Sequence, residues 1–435
     1  MVALQTAWLA VRSSLIGSDV FDPAWSAAIA SLALALATAA APAPWFERAD
    51  AALRSLAEDD RRAATAVGLA ALAVAVATAL SQQPFTWDER FMFPSAALVS
   101  ERGLGVFFAR YASLPWLGTN HPPLVVVLFG LVLRLAGFHL LALRLVTALV
   151  GAATVVVAHA VARRLVDRET ALLAALLLLT SPLFDRMTSA AMNDIFVTFF
   201  FVWAVLLTVR PVAQGASGDD GRGDVRAGAL LGVVIGAGLL CKYTMLLVYP
   251  VVAAIALLQG DASARRRKWL VALVVSLAIF SVWLVAAWQL GVFAVQREWM
   301  TMAATRTTRG RRGPWYALDA LFTKLPSGIG IYDVPLVALG AIALGRRGGR
   351  AARVLVAWIA LVSLPLLLTL PDNRYFLPAY PAIAIVAAIG LAQLGAGRAR
   401  VLALAFLLCG ATLAYYARVD LGRHAFLFRT LFAPR

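Results

Sequence analysis

Charge is what this chain of 435 residues has little of. Asp, Glu, Lys and Arg make up 14% of it, against about 25% in an ordinary soluble domain. Hydrophobic residues make up 62%, and the mean hydropathy is +0.82. That balance excludes a disordered chain and argues against a soluble enzyme. Cysteine is scarcer still. Cys241 and Cys409 lie far apart, in or beside apolar stretches, with no CxxC or Cys/His spacing. Neither a disulfide framework nor a structural zinc site is expected. Lysine occurs only at Lys242, Lys268 and Lys324, so positive charge is carried by arginine. No basic stretch precedes the first apolar run, so a cleaved signal peptide is not expected.

Acid is the scarcer sign: 23 Asp and Glu against 39 Lys and Arg, a formal net charge of +16. In a soluble protein such an excess points to nucleic acid. Here the basic residues sit in short loops between apolar stretches, as the positive-inside bias requires. No nucleic-acid partner is expected.

Apolar spans are read near 24–41, 64–80, 139–161, 170–184, 194–209, 227–241, 244–258, 269–290, 332–345, 354–370, 379–394 and 400–417. Several fall short of the about 20 residues that cross a bilayer core, so their ends borrow flanking polar residues. A further stretch, 122–137, opens with Pro122 and Pro123 and contains Arg134. If it does not cross, the segments 42–63, 162–169, 210–226, 259–268, 346–353 and 395–400 share one side and hold 20 basic residues. The opposite loops 185–193, 242–243 and 371–378 then hold one each. A crossing would invert every later loop, so 122–137 is read as a re-entrant or interfacial helix.

The expected fold is all-α: a polytopic membrane bundle of about 11–13 transmembrane helices, with interfacial helices in the first outer loop. Residues 1–63 form an extra N-terminal span and a charged cytoplasmic linker. Residues 64–394 form the core, with outer loops 81–138 and 291–331. Residues 395–435 form a last span and a short tail. The segment 215–224, GASGDDGRGD, reads as a flexible linker. No repeat of fixed period is visible.

The chemistry-bearing residues lie in the outer loops. Asp88 and Glu89 follow the span 64–80 directly, and a carboxylate near bilayer depth is costly enough to suggest a function. The plainer reading pairs Asp88 with Arg90 or makes it a helix cap. Asp194 begins another span on the same side, where Asn193 or Asp194 could equally cap the helix. His121 precedes the double proline and could bind a phosphate or an acceptor hydroxyl, or be structural. Arg186 could pair with Asp194 or with an anionic lipid. Lys242, followed by Tyr243, is either a snorkelling anchor or a phosphate partner. The loop 297–312 holds Arg297, Arg306, Arg309, Arg311 and Arg312, against the positive-inside pattern. Such a cluster suits a phosphate, which Arg binds bidentately. Arg374 lies in the last outer loop. Carboxylates that accept a proton, beside cations that stabilise a departing phosphate, suit an enzyme whose donor is a sugar on a lipid phosphate.

Several motifs occur in order: Asp88-Glu89, then His121-Pro122-Pro123-Leu124, Leu143-Arg144-Leu145, Ala162-Arg163-Arg164, Ser181-Pro182 and an isolated Asp194. Lys242-Tyr243-Thr244 and Arg374-Tyr375-Phe376-Leu377-Pro378 continue the series. Over roughly 64–394 this resembles the C-type integral-membrane glycosyltransferases, specifically the protein O-mannosyltransferase and aminoarabinose lipid A transferase group. The resemblance implies a cavity open to the periplasm or cell exterior, a polyprenyl-phosphate sugar donor and transfer with inversion. It implies that Asp88 activates the acceptor, with Glu89 beside it and Asp194 as the second outer-loop acid. Lys242, Arg374 and the arginines of 297–312 would face the lipid phosphate. No sugar-binding repeat domain occupies 291–331, and the span 24–41 is additional to the family core.

The expectation is therefore a multi-pass glycosyltransferase of the bacterial plasma membrane. It would move a hexose or pentose from a polyprenyl-phosphate donor to a lipid, glycan or protein hydroxyl. No cofactor is expected, although Asp88, Glu89 and Asp194 could in principle bind a divalent cation. The competing reading is a transporter or lipid flippase with no covalent chemistry, for which Arg134, Arg144 and His159 are the inner candidates.

Overall fold

A computed structural model describes residues 43–81, 88–209, 221–260, 266–305, 321, 325–330, 333–369, 372–395, 397, 400–401 and 403–404. The expected span 24–41, nearly all of the span 400–417, and Arg306 and Arg309 lie outside the described residues. Among the described residues the chain is helical with no strand. In chain order the helices are α1 (Ala43–Glu58), α2 (Asp60–Ser81), α3 (Glu89–Ala109), the one-turn α4 (Leu117–Asn120), α5 (Leu124–Ala136), α6 (Leu140–Leu165), α7 (Arg168–Leu178), α8 (Pro182–Ser189), α9 (Asn193–Thr208), α10 (Gly221–Leu239), α11 (Val248–Leu258), α12 (Arg266–Gln289), α13 (Phe293–Thr305), α14 (Leu325–Ile329), α15 (Val334–Arg347), α16 (Gly349–Thr369) and α17 (Tyr380–Ala392). The all-α membrane bundle expected from the sequence is what is seen.

Among the described residues, six helical stretches are long and apolar enough to cross a membrane: Asp60–Leu80, Leu140–Leu165, Gly223–Cys241, Arg266–Gln289, Gly349–Thr369 and Asn373–Ala392. The expected span 170–184 is broken. Helices α7 and α8 meet at a bend of 67°, because Ser181 caps α8 by accepting the Phe184 N–H while Pro182 opens it. Pro fits the first helical turn and ends what precedes it.

Glycines set the closest helix crossings. An added Cβ on Gly228, Gly232 or Gly236 of α10 would lie 2.5 Å from Lys268 O, 2.7 Å from Ala272 O or 2.9 Å from Ile279 Cβ, all on α12. Small residues four apart let two backbones touch, which membrane helices use in place of hydrophobic contrast. Helices α15 and α17 approach closer still: a Cβ on Gly340 would meet Val386 O at 1.8 Å.

Polar contacts sort the bundle into two ends. At one, Arg163 binds Asp60 at 2.6 Å, Arg168 donates to Glu58 O at 2.8 Å, and Lys268 donates to Leu207 O at 3.1 Å. Arg400 binds Asp50 and Glu169 there, and Arg350 binds Gln259. Apart from Leu207, these residues come from five of the six loops that the charge count placed on one side. At the other end of α2 and α6, Arg144 meets Glu89 and the carbonyl of Ala79. The chain therefore leaves α2 and enters α6 at the same end. Helix α5 has 13 residues, about 20 Å at 1.5 Å per residue, short of the about 30 Å hydrocarbon core.

Candidate active site

Asp88 stands at the entry to α3 but does not cap it. Its carboxylate instead binds Arg374, 286 positions away, at 2.6 Å, and both side chains keep 19% of their surface exposed. Arg374 also reaches Asp372 at 3.4 Å. Arg90, the local partner weighed from the sequence, lies over the Phe91 ring, 4.7 Å from its centroid.

Glu89 turns the opposite way. It is fully buried and takes Nε and Nη2 of Arg144 at 2.8 and 2.7 Å, and the N–H of Ala191 at 2.8 Å. Arg144 donates in addition to Ala79 O at 3.1 Å. One carboxylate thus ties α2, α3, α6 and the loop before α9 into one knot. Consecutive residues on a helix diverge by about 100°, so one faces the core and its neighbour the opening.

Asp194 lies in the first turn of α9, whose start has no side-chain cap. Lys242 donates to its Oδ1 at 2.7 Å, and both side chains are buried. Asn193 donates from Nδ2 to Cys241 O at 3.2 Å, so both residues of the Asn-Asp pair hold the turn that carries Lys242. Burial draws the Lys242 ammonium down, but Asp194 and Tyr375 more than offset it, and its pKa ends above the ordinary value. The ammonium sits 4.5 Å from the Tyr375 ring centroid and the Arg374 guanidinium 5.9 Å. Tyr375 therefore bridges the two ion pairs.

His121 is buried with its ring 4.0 Å from Trp116. Its carbonyl accepts the Tyr111 hydroxyl at 2.5 Å, and its Nδ1 has no hydrogen-bond partner. Burial, then the charges of Lys242 and Arg374, hold its pKa well below 6.5, so the ring is neutral near pH 7. Arg186 lies half-buried in the last turn of α8. Tyr243 points away from the two pairs: Trp283 donates to its hydroxyl at 2.9 Å, and that hydroxyl binds Gln296, which donates to Leu117 O at 3.1 Å. Its contacts link α12, α13 and α4 rather than Asp88 or Asp194.

The structure thus brings together Asp88, Asp194, Lys242 and Arg374, with His121 near both cations. Sequence reasoning did not single out Asp372, Tyr375 or the Glu89–Arg144 pairing. A lone Arg inside an apolar span was the available signal for the last, since such a charge requires a buried partner. Among the described residues no three His, Cys, Asp or Glu side chains converge as a metal-binding group.

Residues 120–286 match the family described as dolichyl-phosphate-mannose-protein mannosyltransferase. No curated protein matches the chain. Among solved structures, ArnT from Cupriavidus metallidurans bound to undecaprenyl phosphate superposes with a TM-score of 0.56 at 18% identity, over 76% of this chain and 60% of that one. The Archaeoglobus fulgidus oligosaccharyltransferase in complex with Zn and sulfate gives a TM-score of 0.52 at 16% identity, over 81% and 52%. The archaeal oligosaccharyltransferase AglB from Archaeoglobus fulgidus, in complex with an inhibitory peptide and a dolichol-phosphate, gives 0.51 at 14%, over 80% and 55%. The chain thus spans only about half to three fifths of the length of these structures, and the likeness is one of fold. The resemblance read from the motifs is borne out: residues 120–286 match the mannosyltransferase family, and the chain shares its fold with ArnT and the archaeal oligosaccharyltransferase.

Proposed function

We propose that this chain is a membrane glycosyltransferase that moves a hexose or pentose from a polyprenyl-phosphate donor to an acceptor hydroxyl, inverting the anomeric centre. The observation that carries the reading is the doubled ion pair. Asp88–Arg374 is half-open and Asp194–Lys242 is buried, and both adjoin Tyr375. A phosphate arriving at Arg374 competes with Asp88 for the guanidinium, which favours planar, bidentate oxyanions. The carboxylate so released takes the acceptor's proton as the acceptor oxygen bonds to C1. The C1–O bond to phosphate breaks on the opposite face, and the electron pair leaves with the polyprenyl phosphate. Lys242, anchored by Asp194, and Arg374 stabilise the leaving charge. Arg306 and Arg309 add to the phosphate hold in this reading. Glu89, locked to Arg144, is a positioning residue that fixes the start of α3 and hence Asp88. The step is written with side chains as the source of positive charge.

The acceptor is a lipid, glycan or protein hydroxyl on the periplasmic or outer face of a bacterial plasma membrane. Support for that side is the charge count, which gathers the basic loops at the far end of the bundle. ArnT was solved with undecaprenyl phosphate and AglB with a dolichol-phosphate, so the shared fold accommodates lipid phosphates. The test is sugar release from a labelled polyprenyl-phosphate donor by the purified chain. Asp88→Asn should lower it by about 10²–10⁴-fold, the usual worth of a general base, with the unfolding midpoint little changed. Full turnover by Asp88→Asn would refute the assignment. Movement of intact donor across the bilayer without sugar release would favour the transporter reading.

A further inference from the structure

Outside the two ion pairs, a chain of side-chain hydrogen bonds runs to Gln296 in the second outer loop. Helix α13 lies against α4 and α16, and of its residues 293–302 Gln296 alone is buried. Both ends of its amide are used. Oε1 accepts the Tyr243 hydroxyl, and Nε2 donates to Leu117 O at 3.1 Å. The Tyr243 oxygen in turn accepts Trp283 Nε1 at 2.9 Å. Donors thus point one way, from Trp283 through Tyr243 and Gln296 to the Leu117 carbonyl.

The partners belong to segments that carry groups suited to the phosphate. Tyr243 follows Lys242 on the same turn. Leu117 O also takes the N–H of His121, at 3.4 Å. Trp283 packs on the Tyr111 ring with centroids 5.3 Å apart, and the Tyr111 hydroxyl holds the His121 carbonyl. Arg297, exposed on α13, is the residue after Gln296. His121, Lys242 and Arg297 come from three distant stretches of chain, and Gln296 is where those stretches are tied together.

Holding force alone does not explain an amide at this position. A neutral hydrogen bond, traded against water, stabilises modestly, and burying an apolar side chain of similar size stabilises at least as much. Leucine would therefore anchor α13 as firmly. What the amide adds is register, because each of its bonds has one partner and one direction. A phosphate met by groups from three segments needs that register, since a misplacement of about 1 Å at such a site is costly. We propose that Gln296 is a positioning residue for the donor, which sets the His121, Lys242 and Arg297 segments around the phosphate with Tyr243 as its relay. The inference rests on the polyprenyl-phosphate reading above, and it gives Tyr243 a role that needs no contact with substrate.

The experiment uses the full chain in lipid nanodiscs. It reads binding of a short-chain polyprenyl phosphate, kcat and KM for the sugar-charged donor, and the unfolding midpoint. Gln296→Leu should weaken polyprenyl-phosphate binding and raise the donor KM by about tenfold each, with kcat within about twofold and the midpoint little changed. Tyr243→Phe, which removes a single oxygen, should show the same split at smaller size, and it decides if Gln296→Leu does not fold. Binding and KM unchanged in both variants would overturn the proposal. So would a fall in kcat and midpoint at constant KM, which would make the network a structural tie. A wild type that binds no polyprenyl phosphate would overturn it together with the reading it rests on. A wild type that binds polyprenyl phosphate with this dependence on Gln296 but releases no sugar would uphold the positioning role and refute the transferase.

Discussion

The buried Asp194–Lys242 pair allows stability and catalysis to be separated in one double-mutant cycle. The two groups lie 2.7 Å apart with side chains 5% and 6% exposed, so neither can turn to water when the other is removed. Breaking such a pair from one side costs about 3–5 kcal/mol, because an uncompensated charge stays buried. That is a large share of a total that is commonly about 5–15 kcal/mol. The loss should fall at the lower end for Lys242→Met, since Arg374 also acts on Asp194. Asp194→Asn leaves Lys242 with only the Tyr375 ring and should cost more. Removing both partners leaves no buried charge, so Asp194→Asn with Lys242→Met should regain most of the lost stability. Turnover should not return with it, because the cation that meets the departing phosphate is gone. The assay is thermal unfolding of each purified variant beside sugar release from a labelled donor. A double variant that recovered turnover along with stability would refute the reasoning and make the pair a structural tie.

Glu89→Gln should destabilise the fold far more than Asp88→Asn, by up to about 3–5 kcal/mol moderated by the bond Arg144 keeps to Ala79 O; parallel thermal melts check this. Gly340→Ala should destabilise by about 1–3 kcal/mol or more, because the new methyl meets Val386 O. Gly345→Ala on the same helix has nothing within 4 Å and should be neutral or slightly stabilising, so the two melts form an internal control. His121 is held neutral in the fold, with its pKa well below 6.5, whereas the unfolded chain takes up that proton. Stability from this residue is therefore complete above about pH 6.5 and lost as pH falls below it. Melts between about pH 7.5 and about pH 5 should show this slope in the wild type and a flatter one in His121→Gln.

The bundle was legible because apolar runs and loop charge are one-dimensional signals. Counting arginines loop by loop fixed the parity of the spans, and parity alone placed Asp88, Asp194, Lys242 and Arg374 at one end. Parity also kept 122–137 from crossing, and α5 proves too short to span. The pairing was not legible, since Asp88 and Arg374 are 286 positions apart and Asp194 and Lys242 48. Nor was the division of labour between neighbours. Asp88 faces the opening while Glu89 faces Arg144. Lys242 holds Asp194 while Tyr243 holds Gln296. In each case a turn of backbone decides which residue reaches the site. The break at Ser181 was written in the sequence as Ser-Pro, but an unbroken apolar run concealed the 67° bend.

Charge balance explains why the described groups are incomplete as a phosphate site on their own. Among the described residues, Asp88, Glu89, Asp194 and Asp372 form ion pairs with Arg144, Lys242 and Arg374. Each cation already has a carboxylate within contact, so an arriving phosphate meets no uncommitted positive charge among these residues. Arg144 cannot turn outward without unlocking Glu89, and Lys242 cannot leave Asp194 without burying a bare carboxylate. Arg374 is the one cation whose main partner, Asp88, is partly open to solvent. In the proposed reaction it is therefore the group that changes partners, and the exchange that captures the donor is the same event that frees the base. Exchange alone adds no net charge, so the remaining attraction has to come from beyond this set. In the proposed reaction the arginines between 297 and 312 would supply it; of these only Arg297 lies among the described residues.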